Sequence, residues 1–359
     1  RMTEESLDFM MYDSYPNFSY CHGLYHKEDP TKDRNWSKHL SEVRSISPLF
    51  GIMEQQSGAN GSMEMMAPVP RPGQMTLWTM QSIAHGADFV SYFRWRTATM
   101  GTEMYWHGIL DYSGRDNRRL AEVKEISEKL DCMKGVAGSR YEAKVAVLRD
   151  YDNSWNGQAD VWQRKLDETS IWGLFQACQY THTPYDYVYI DHCGKKELDP
   201  YQVVFYPHGA ILTKERAEIL RHYVEQGGTL VVGCRTAFKD IHRICVTDPL
   251  PGLLRELAGV DIPEYTVVAP DTGVVKAKWG DTELDTMLFN DQLTAVDGAE
   301  VAAEYTDGYY RGAGALVCNH AGEGSVYYYG SVFTADVAQI FLEKLGAAEP
   351  YAKMIEAPE

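Results

Sequence analysis

The sequence has no long apolar run, and it is poor in positive charge for its size. Across 359 residues, no apolar stretch approaches the roughly 20 residues that a membrane-spanning helix needs. Lys and Arg number 34 against 51 Asp and Glu, which gives a formal net charge of −17. Such an acidic chain is repelled by a nucleic-acid backbone or an anionic membrane surface. We therefore expect a neutral or cationic small molecule as ligand, and neither nucleic acid nor membrane as partner.

Cysteine pairs with metal-binding or redox spacing are also absent. The seven cysteines are an odd number and form no C-x-x-C pair; they are Cys21, Cys132, Cys178, Cys193, Cys234, Cys245 and Cys318. This scatter is typical of reduced, mostly buried thiols. The N-terminal "RMTEESLDF" lacks the apolar core of a signal peptide. We expect a cytoplasmic protein without a metal site or a cofactor.

The first third of the chain alternates short apolar strands with helical segments. The strands are "LDFMMYDSYP", "LFGIMEQQ" and "DFVSYFRWR", and the last helix, "RRLAEVKEISEKLDCMKGV", is expected to end near Gly135. This β/α repetition covers residues 1–137. The chain has no Met at position 1 and enters a strand almost at once, so we expect it to be part of a longer polypeptide.

The pattern restarts near Gly138 and predicts a second α/β domain over residues 138–359. Four apolar strands, "KVAVLRDY", "YDYVYID", "YQVVFYP" and "GTLVVG", alternate with helices such as "TKERAEILRHYVEQGG". From Val267 to Tyr329 the pattern changes to short β segments, with a hairpin expected at Gly322–Gly324. The aromatic-rich strands predict more apolar surface than one small domain buries, which favours self-association.

Polar and aromatic side chains follow each strand of the first domain. They are Asp13 and Tyr15, then Glu54, then Phe93 to Arg96. In a β/α barrel these strand ends open on one face, where the side chains converge. The next loop, "MGTEMYWHGILDYSG", adds Glu103 and His107. Carboxylate, imidazole and aromatic groups together suit a polyhydroxylated ring.

Each of these residues also has a structural interpretation. Glu54 is equally a buried acceptor or a reacting group, and Glu103 and His107 are equally loop caps or ligand contacts. Arg94 and Arg96 are more often ion-pair partners inside a barrel than ligand contacts. The residues alone leave these alternatives open.

Linked motifs make the chain resemble glycoside hydrolase family 42, the β-galactosidases of that class. The first third resembles its barrel through "DFMMYDSYP", "IMEQQ" and "PRPGQMTLWTMQSIAHGADFVSYFRWRTATMGTEMYWHGIL". Residues 140–345 resemble its amidotransferase-like trimerisation domain through "KVAVLRDYDNSW", "YQVVFYPHGAIL" and "YVEQGGTLVVG". The resemblance implies the C-terminal part of a TIM (β/α)8 barrel followed by an amidotransferase/flavodoxin-like α/β trimerisation domain with a short β-rich segment.

The resemblance also implies roles for individual residues. Glu54 would be the catalytic nucleophile of a retaining β-galactosidase, and Tyr15 would support it. Glu103 and His107 would bind the galactosyl hydroxyls, and Phe93 would form part of the wall around the ring. The chain would form a homotrimer, and its substrate would be a galactoside.

Two departures from the family pattern affect the assignment of these roles to residues of this chain. The loop "SGANGSME" lacks a tryptophan that many members carry, and "EMYWH" has one more residue between Glu and His than is common. Trp106 and His107 are therefore alternative candidates for the position at which the family has its galactosyl-binding histidine. The acid/base carboxylate comes from an earlier barrel strand, which this chain does not contain, so the chain alone is expected to be inactive.

Two other functions compete with that of a β-galactosidase. The chain alone could be a non-catalytic oligomerisation fragment. Less favoured is an amidotransferase-like enzyme centred on Cys234, since "TLVVGCRTAF" puts a cysteine directly after a strand, where a nucleophile elbow would lie. Thr236 stands where such a turn favours glycine.

Overall fold

The computed structural model describes residues 6–17, 34–61, 66–352 and 354. The chain divides into two compact units, Arg1–Tyr141 and Glu142–Glu359. Within the part of the chain that is described, every helix is too short or too polar to cross a lipid bilayer.

The first unit is built on a parallel sheet of three strands in the order β1-β2-β5. Its strands are β1 Met10–Ser14, β2 Phe50–Gln56, β3 Asn60–Gly61, β4 Met66–Ala67 and β5 Ala87–Phe93. Its helices are α1 Trp36–Ile46, α2 Gln74–Ala84 and α3 Arg118–Cys132. The short strands β3 and β4 form an antiparallel pair in the loop after β2.

The apolar side chains of β2 form the centre of this unit. Phe50 and Ile52 are fully buried, and they pack against Leu40 and Val43 of α1. The apolar pattern predicted a strand covered on both faces, but Met53 is 41% exposed, so β2 is covered only in part. Helix α3 ends at Cys132, and a short 3-10 turn, Lys134–Val136, contains the glycine at which the end was predicted. This core orients the carboxyl ends of β1, β2 and β5.

The second unit contains the other strands and helices of the described chain. Its strands are β6 Val145–Arg149, β7 Tyr185–Tyr189, β8 Val203–Tyr206, β9 Thr229–Val232, β10 Val260–Val267, β11 Val275–Trp279, β12 Thr282–Thr286, β13 Phe289–Ala295, β14 Glu300–Tyr305, β15 Gly314–Ala321 and β16 Gly324–Tyr329. Its helices are α4 Tyr151–Ala159, α5 Val161–Tyr180, α6 Lys214–Glu225, α7 Arg255–Ala258, α8 Ala335–Lys344 and α9 Glu349–Ala352.

The α/β part and the β-rich part of this unit share one sheet of 11 strands. Strand β16 forms the predicted hairpin with β15 and also pairs in parallel with β9, so that Ser325–Tyr328 lie beside Thr229–Val232. The parallel block therefore has five strands, β7-β6-β8-β9-β16, instead of the four predicted. Burial explains the extra strand, because Val326 and Tyr328 are both fully covered.

Four aromatic residues inside the predicted strands lie in the core. Tyr185, Tyr187, Phe205 and Tyr206 are each at most 2% exposed, because helices on both faces of the sheet cover them. At the strand ends, Tyr189 is partly buried and Tyr151 is 42% exposed. The expectation of surplus apolar surface is therefore wrong for the residues inside these strands.

Candidate active site

Glu54 and Tyr15 meet at the carboxyl ends of two neighbouring strands. In the parallel pairing of β1 with β2, Asp13 lies beside Glu54. The Tyr15 hydroxyl donates a hydrogen bond of 2.5 Å to Oε2 of Glu54. Burial, followed by this hydrogen bond and the charge of Glu54, raises the pKa of Tyr15. The phenol therefore stays protonated and holds one oxygen of the carboxylate.

Asp13 adds a second carboxyl group beside Glu54. Partial burial is the main reason that its pKa is raised, and the negative charge of Glu54 raises it further. Two carboxyl groups this close disfavour simultaneous ionisation. The strand ends thus form an acidic site that attracts hydroxyl donors and positive charge.

The two amides that follow Glu54 fix the end of the strand. Gln55 and Gln56 are fully buried. The Gln55 amide nitrogen donates to the Ser14 carbonyl at 3.2 Å, and Gln56 Oε1 accepts from the Asn17 backbone at 3.1 Å. Gln56 Nε2 also donates to the Gly58 carbonyl at 3.1 Å, whereas the buried Gln55 Oε1 has no hydrogen-bond partner among the described residues. The amides position the backbone around Glu54.

The loop that carries Glu103 and His107 packs directly against the loop after β2. Trp106 forms an isolated antiparallel bridge with Asn60, and the His107 backbone donates to the Ala59 carbonyl at 2.9 Å. The Trp106 ring stands edge-on against the Tyr15 ring, with centroids 5.7 Å apart. Trp106 therefore forms a wall beside the Tyr15–Glu54 pair.

Glu103 reaches the same region through an ion pair with Arg94. Oε2 of Glu103 is 2.6 Å from the Arg94 guanidinium, and the Glu103 side chain is 57% exposed. The negative charge of Glu103 contributes to the raised pKa of Tyr15, which indicates that the two are close. The Arg94 guanidinium also lies 4.9 Å from the centre of the Phe93 ring. The expected ion-pair role of Arg94 is confirmed, and its partner is a candidate ligand-binding carboxylate.

His107 takes a different position from Trp106. Its ring stands edge-on against Tyr112 at 5.5 Å. Burial, and secondarily the charge of Arg119, lowers the pKa of His107, while Asp111 opposes this effect. The structure thus brings Tyr15, Glu54 and Trp106 into direct contact and puts Glu103 nearby with Arg94 and Phe93. It does not bring the His107 ring against Tyr15.

Two residues of α3 that the sequence pattern did not single out anchor this loop. The Arg119 Nε donates to the carbonyls of Gly108 and Ile109 at 3.2 and 3.1 Å. Asn117 caps the helix and donates to the Ile109 carbonyl at 2.9 Å. An N-cap asparagine is visible in a sequence, but its contact with a distant loop is not.

No group of three or more His, Cys, Asp or Glu side chains with metal-binding geometry occurs among the described residues.

Cys234 has the wrong environment for a nucleophile. It follows β9 as predicted, but it is fully buried, and burial raises the pKa of its thiol well above the usual value. The nearest imidazole nitrogen, Nδ1 of His208, is 3.7 Å from the sulfur. Burial lowers the pKa of His208 to about 4, so the imidazole is neutral. The thiolate is therefore disfavoured, which argues against the amidotransferase-like alternative.

Comparison with known proteins identifies the family. Residues 143–350 match the family described as "Beta-galactosidase trimerisation domain", and residues 1–133 match the one described as "Beta-galactosidase". A β-galactosidase of Clostridium cellulovorans is 30% identical over 351 residues, which are 95% of this chain and 50% of that protein. The chain thus spans about half the length of the curated relatives it matches.

Solved structures of β-galactosidases have the same fold. The enzyme from Halorubrum lacusprofundi is 28% identical with a TM-score of 0.81, over 95% of this chain and 51% of that one. The one from Bacillus circulans sp. alkalophilus is 24% identical with a TM-score of 0.82, over 99% and 52%. The predicted fold class is confirmed: the chain belongs to glycoside hydrolase family 42 and combines a C-terminal part of the TIM barrel with the α/β trimerisation domain.

Proposed function

We propose that this chain is part of a retaining β-galactosidase, with Glu54 as the nucleophile and the acid/base carboxylate outside the chain. The observation that carries the proposal is the Glu54 carboxylate at a barrel strand end, held by the Tyr15 hydroxyl at 2.5 Å. A nucleophilic carboxylate must be fixed in orientation, and the phenol donor holds one of its two oxygens.

The geometry supports the following sequence of bond changes. One oxygen of Glu54 attacks the anomeric carbon while the glycosidic C–O bond breaks, and a galactosyl ester forms. The leaving oxygen takes its proton from a second carboxyl group about 5–5.5 Å from the nucleophile. The second carboxylate then takes a proton from water, whose oxygen attacks the anomeric carbon, so that the ester bond breaks and the Glu54 carboxylate is regenerated. Tyr15 keeps its hydrogen bond to the other oxygen throughout.

The surrounding residues are proposed to bind the galactosyl ring. Glu103 would accept hydrogen bonds from ring hydroxyls, and its ion pair with Arg94 orients its carboxylate. Phe93 would cover an apolar face of the ring. Of the two candidates for the histidine position, Trp106 is favoured by its contact with Tyr15, and His107 would contribute from the side of Tyr112.

The second unit is proposed to assemble the protein. We assign residues 1–137 to the barrel and 138–359 to a domain that forms a homotrimer, on the basis of the family match over residues 143–350. A cytoplasmic location is consistent with the free cysteines among the described residues.

Chemical rescue of a Glu54 variant tests the proposal. In a polypeptide that carries this sequence together with the early barrel strands, Glu54→Gly should abolish hydrolysis of a nitrophenyl β-galactoside. Azide should restore turnover and give the α-galactosyl azide, because it attacks from the space that the carboxylate vacates. Asp13→Gly is the matched control on the neighbouring strand, and azide should not rescue it. A Glu54→Gly variant that melts lower but still hydrolyses the substrate would contradict the nucleophile assignment.

The chain by itself could also serve as a non-catalytic oligomerisation module. The observation that favours this function is the match of residues 143–350 to a family described as a trimerisation domain. An activity assay distinguishes the two functions. A longer polypeptide with the same second unit hydrolyses galactosides only if the chain is part of a β-galactosidase.

A further inference from the structure

The backbone segment that carries Glu103 is exposed and follows a glycine. Gly101 has a φ of 81°, in the left-handed region, and a Cβ atom there would meet nothing within 4 Å. The next four residues, Thr102–Tyr105, form one 3-10 turn in which no residue is buried. The Glu103 side chain is 57% exposed, so its ion pair with Arg94 is weak by itself. A carboxylate that must meet a sugar hydroxyl in one direction therefore needs a second support.

Tyr112 contacts this segment from the other end of the loop. Its hydroxyl donates a hydrogen bond of 2.5 Å to the carbonyl of Met104, the residue that follows Glu103. Its ring also stands edge-on against His107, with centroids 5.5 Å apart. Because Tyr112 is 43% exposed, these contacts do not form part of a core. Their effect is on the position of the loop.

The backbone of Tyr112 is itself bound to the end of β5. The Arg96 guanidinium donates to the Tyr112 carbonyl at 2.7 Å. Two residues earlier, the Leu110 backbone donates to the Trp95 carbonyl at 2.8 Å. Tyr112 thus has a fixed place relative to this strand end, and its hydroxyl passes that constraint to the loop.

Together these contacts hold Glu103 at two points that share one origin. Arg94 binds its carboxylate at 2.6 Å, and Tyr112 binds the backbone directly after it. Both supports come from the segment that follows β5, since Arg96 holds Tyr112. Such support matters because a misplacement of about 1 Å in a group that orients substrate can slow a reaction about a hundredfold.

We propose that Tyr112 is a positioning residue that fixes Glu103 for binding a galactosyl hydroxyl. The inference rests on the role of Glu103 in the proposed function. Tyr112 does not contact the sugar; its hydroxyl acts through the Met104 carbonyl. Loss of this hydroxyl therefore changes catalysis only as far as it displaces the Glu103 carboxylate.

A double-mutant cycle in the polypeptide with the early barrel strands tests this inference. Tyr112→Phe removes only the hydroxyl and should lower kcat/KM for a nitrophenyl β-galactoside about three- to tenfold, as expected for one hydrogen bond. In the Glu103→Ala background it should have no further effect, because no carboxylate remains to be positioned. Its loss should divide between kcat and KM as that of Glu103→Ala does.

Tyr105→Phe is the matched control for Tyr112→Phe. Tyr105 lies in the same loop and is 51% exposed, and its variant loses the same hydroxyl group. It should keep the wild-type kcat/KM. The melting temperature checks that each variant folds.

The outcomes separate this inference from the proposed function. A Tyr112→Phe effect that disappears in the Glu103→Ala background supports the positioning role. Additive losses, or a folded Tyr112→Phe variant with wild-type kcat/KM, overturn the inference and leave the role of Glu103 standing. A folded Glu103→Ala variant with wild-type kcat/KM overturns both.

Discussion

At the residue scale, Glu54 differs from the other acidic groups around it in what holds its carboxylate. Glu54 accepts a neutral phenol hydrogen bond from Tyr15, whereas Glu103 is paired with the positive charge of Arg94. A phenol orients a carboxylate without neutralising it, so the free oxygen keeps its nucleophilicity. An arginine partner suits a group that binds hydroxyls. The different partners account for the two proposed roles.

Substitution of Glu103 should reduce catalysis without unfolding the protein. Glu103→Ala removes a charged acceptor for a sugar hydroxyl, so kcat/KM should fall by a factor equivalent to about 2–4 kcal/mol. The melting temperature should hardly change, because the side chain is 57% exposed and its ion pair is near the surface. Glu103→Gln keeps the shape and should lose less. Unchanged kcat/KM in a folded Glu103→Ala variant would make this residue a loop cap.

Asp291 should make stability depend on pH. It is fully buried, and its Oδ2 accepts 3.0 Å hydrogen bonds from the Arg235 backbone and from the Tyr328 hydroxyl. Burial raises the pKa of Asp291 from 3.8 to about 7. Because the folded state binds the proton of Asp291 more tightly, the contribution of Asp291 to the free energy of unfolding is highest below pH 4. It should fall as pH rises to 7, by at most about 4 kcal/mol.

The Asp291→Asn variant checks this, because asparagine resembles the protonated acid. Urea unfolding at pH 5 and pH 8 should show a smaller pH dependence for Asp291→Asn than for the wild type. Asp297→Asn, an exposed position two residues after β13, should keep the wild-type pH dependence. If the free energy of unfolding depended on pH equally in the wild type and in Asp291→Asn, this would contradict the raised pKa of Asp291.

At the element scale, the candidate site depends on the contact between two loops. Gly58 lies so close to the 103–108 loop that a Cβ atom there would come within 2.3 Å of the His107 carbonyl oxygen. Gly61 lies in the same loop, and its Cβ would meet nothing nearer than 3.7 Å. The close approach at Gly58 lets the His107 backbone bond to Ala59 and brings Trp106 against Tyr15.

Alanine at the two glycines should therefore have different effects. Gly58→Ala forces the loops apart and should lower the free energy of unfolding by about 1–3 kcal/mol, together with kcat/KM. Gly61→Ala should change neither by a measurable amount. Equal effects at both positions, by chemical unfolding and initial rates, would show that loop packing does not hold the site.

Local patterns predicted the elements better than they predicted contacts between elements. The strands around Glu54 and the helix α3 follow from apolar spacing, and the end of α3 from a glycine. The join of β16 to β9 did not follow, because strand order depends on contacts between segments distant in sequence. For the same reason, spacing could not decide whether Trp106 or His107 turns its ring towards Tyr15.

At the scale of the whole molecule, the chain carries one carboxylate of the catalytic pair that the proposal requires. The 359-residue chain alone should hydrolyse β-galactosides at no measurable rate, because no second carboxyl group protonates the leaving oxygen. A polypeptide with the early barrel strands is the comparison, assayed at equal concentration with the same nitrophenyl galactoside. Turnover by the short chain that disappears in Glu54→Gly would mean that this chain contains its own acid/base group.

The central claim is that Glu54 forms the covalent bond to the sugar, and trapping that ester is the most direct test. A 2-deoxy-2-fluoro-β-galactosyl fluoride should inactivate the barrel-containing polypeptide. The fluorine at C2 slows both formation and hydrolysis of the ester, whereas the fluoride leaving group at C1 speeds its formation only, so the ester accumulates. Mass spectrometry of peptides should then find one fluorogalactosyl group, on the peptide that contains Glu54 and on that carboxylate. A label on another carboxylate, such as Asp13 or Glu103, in an enzyme inactivated in proportion to labelling would contradict the account.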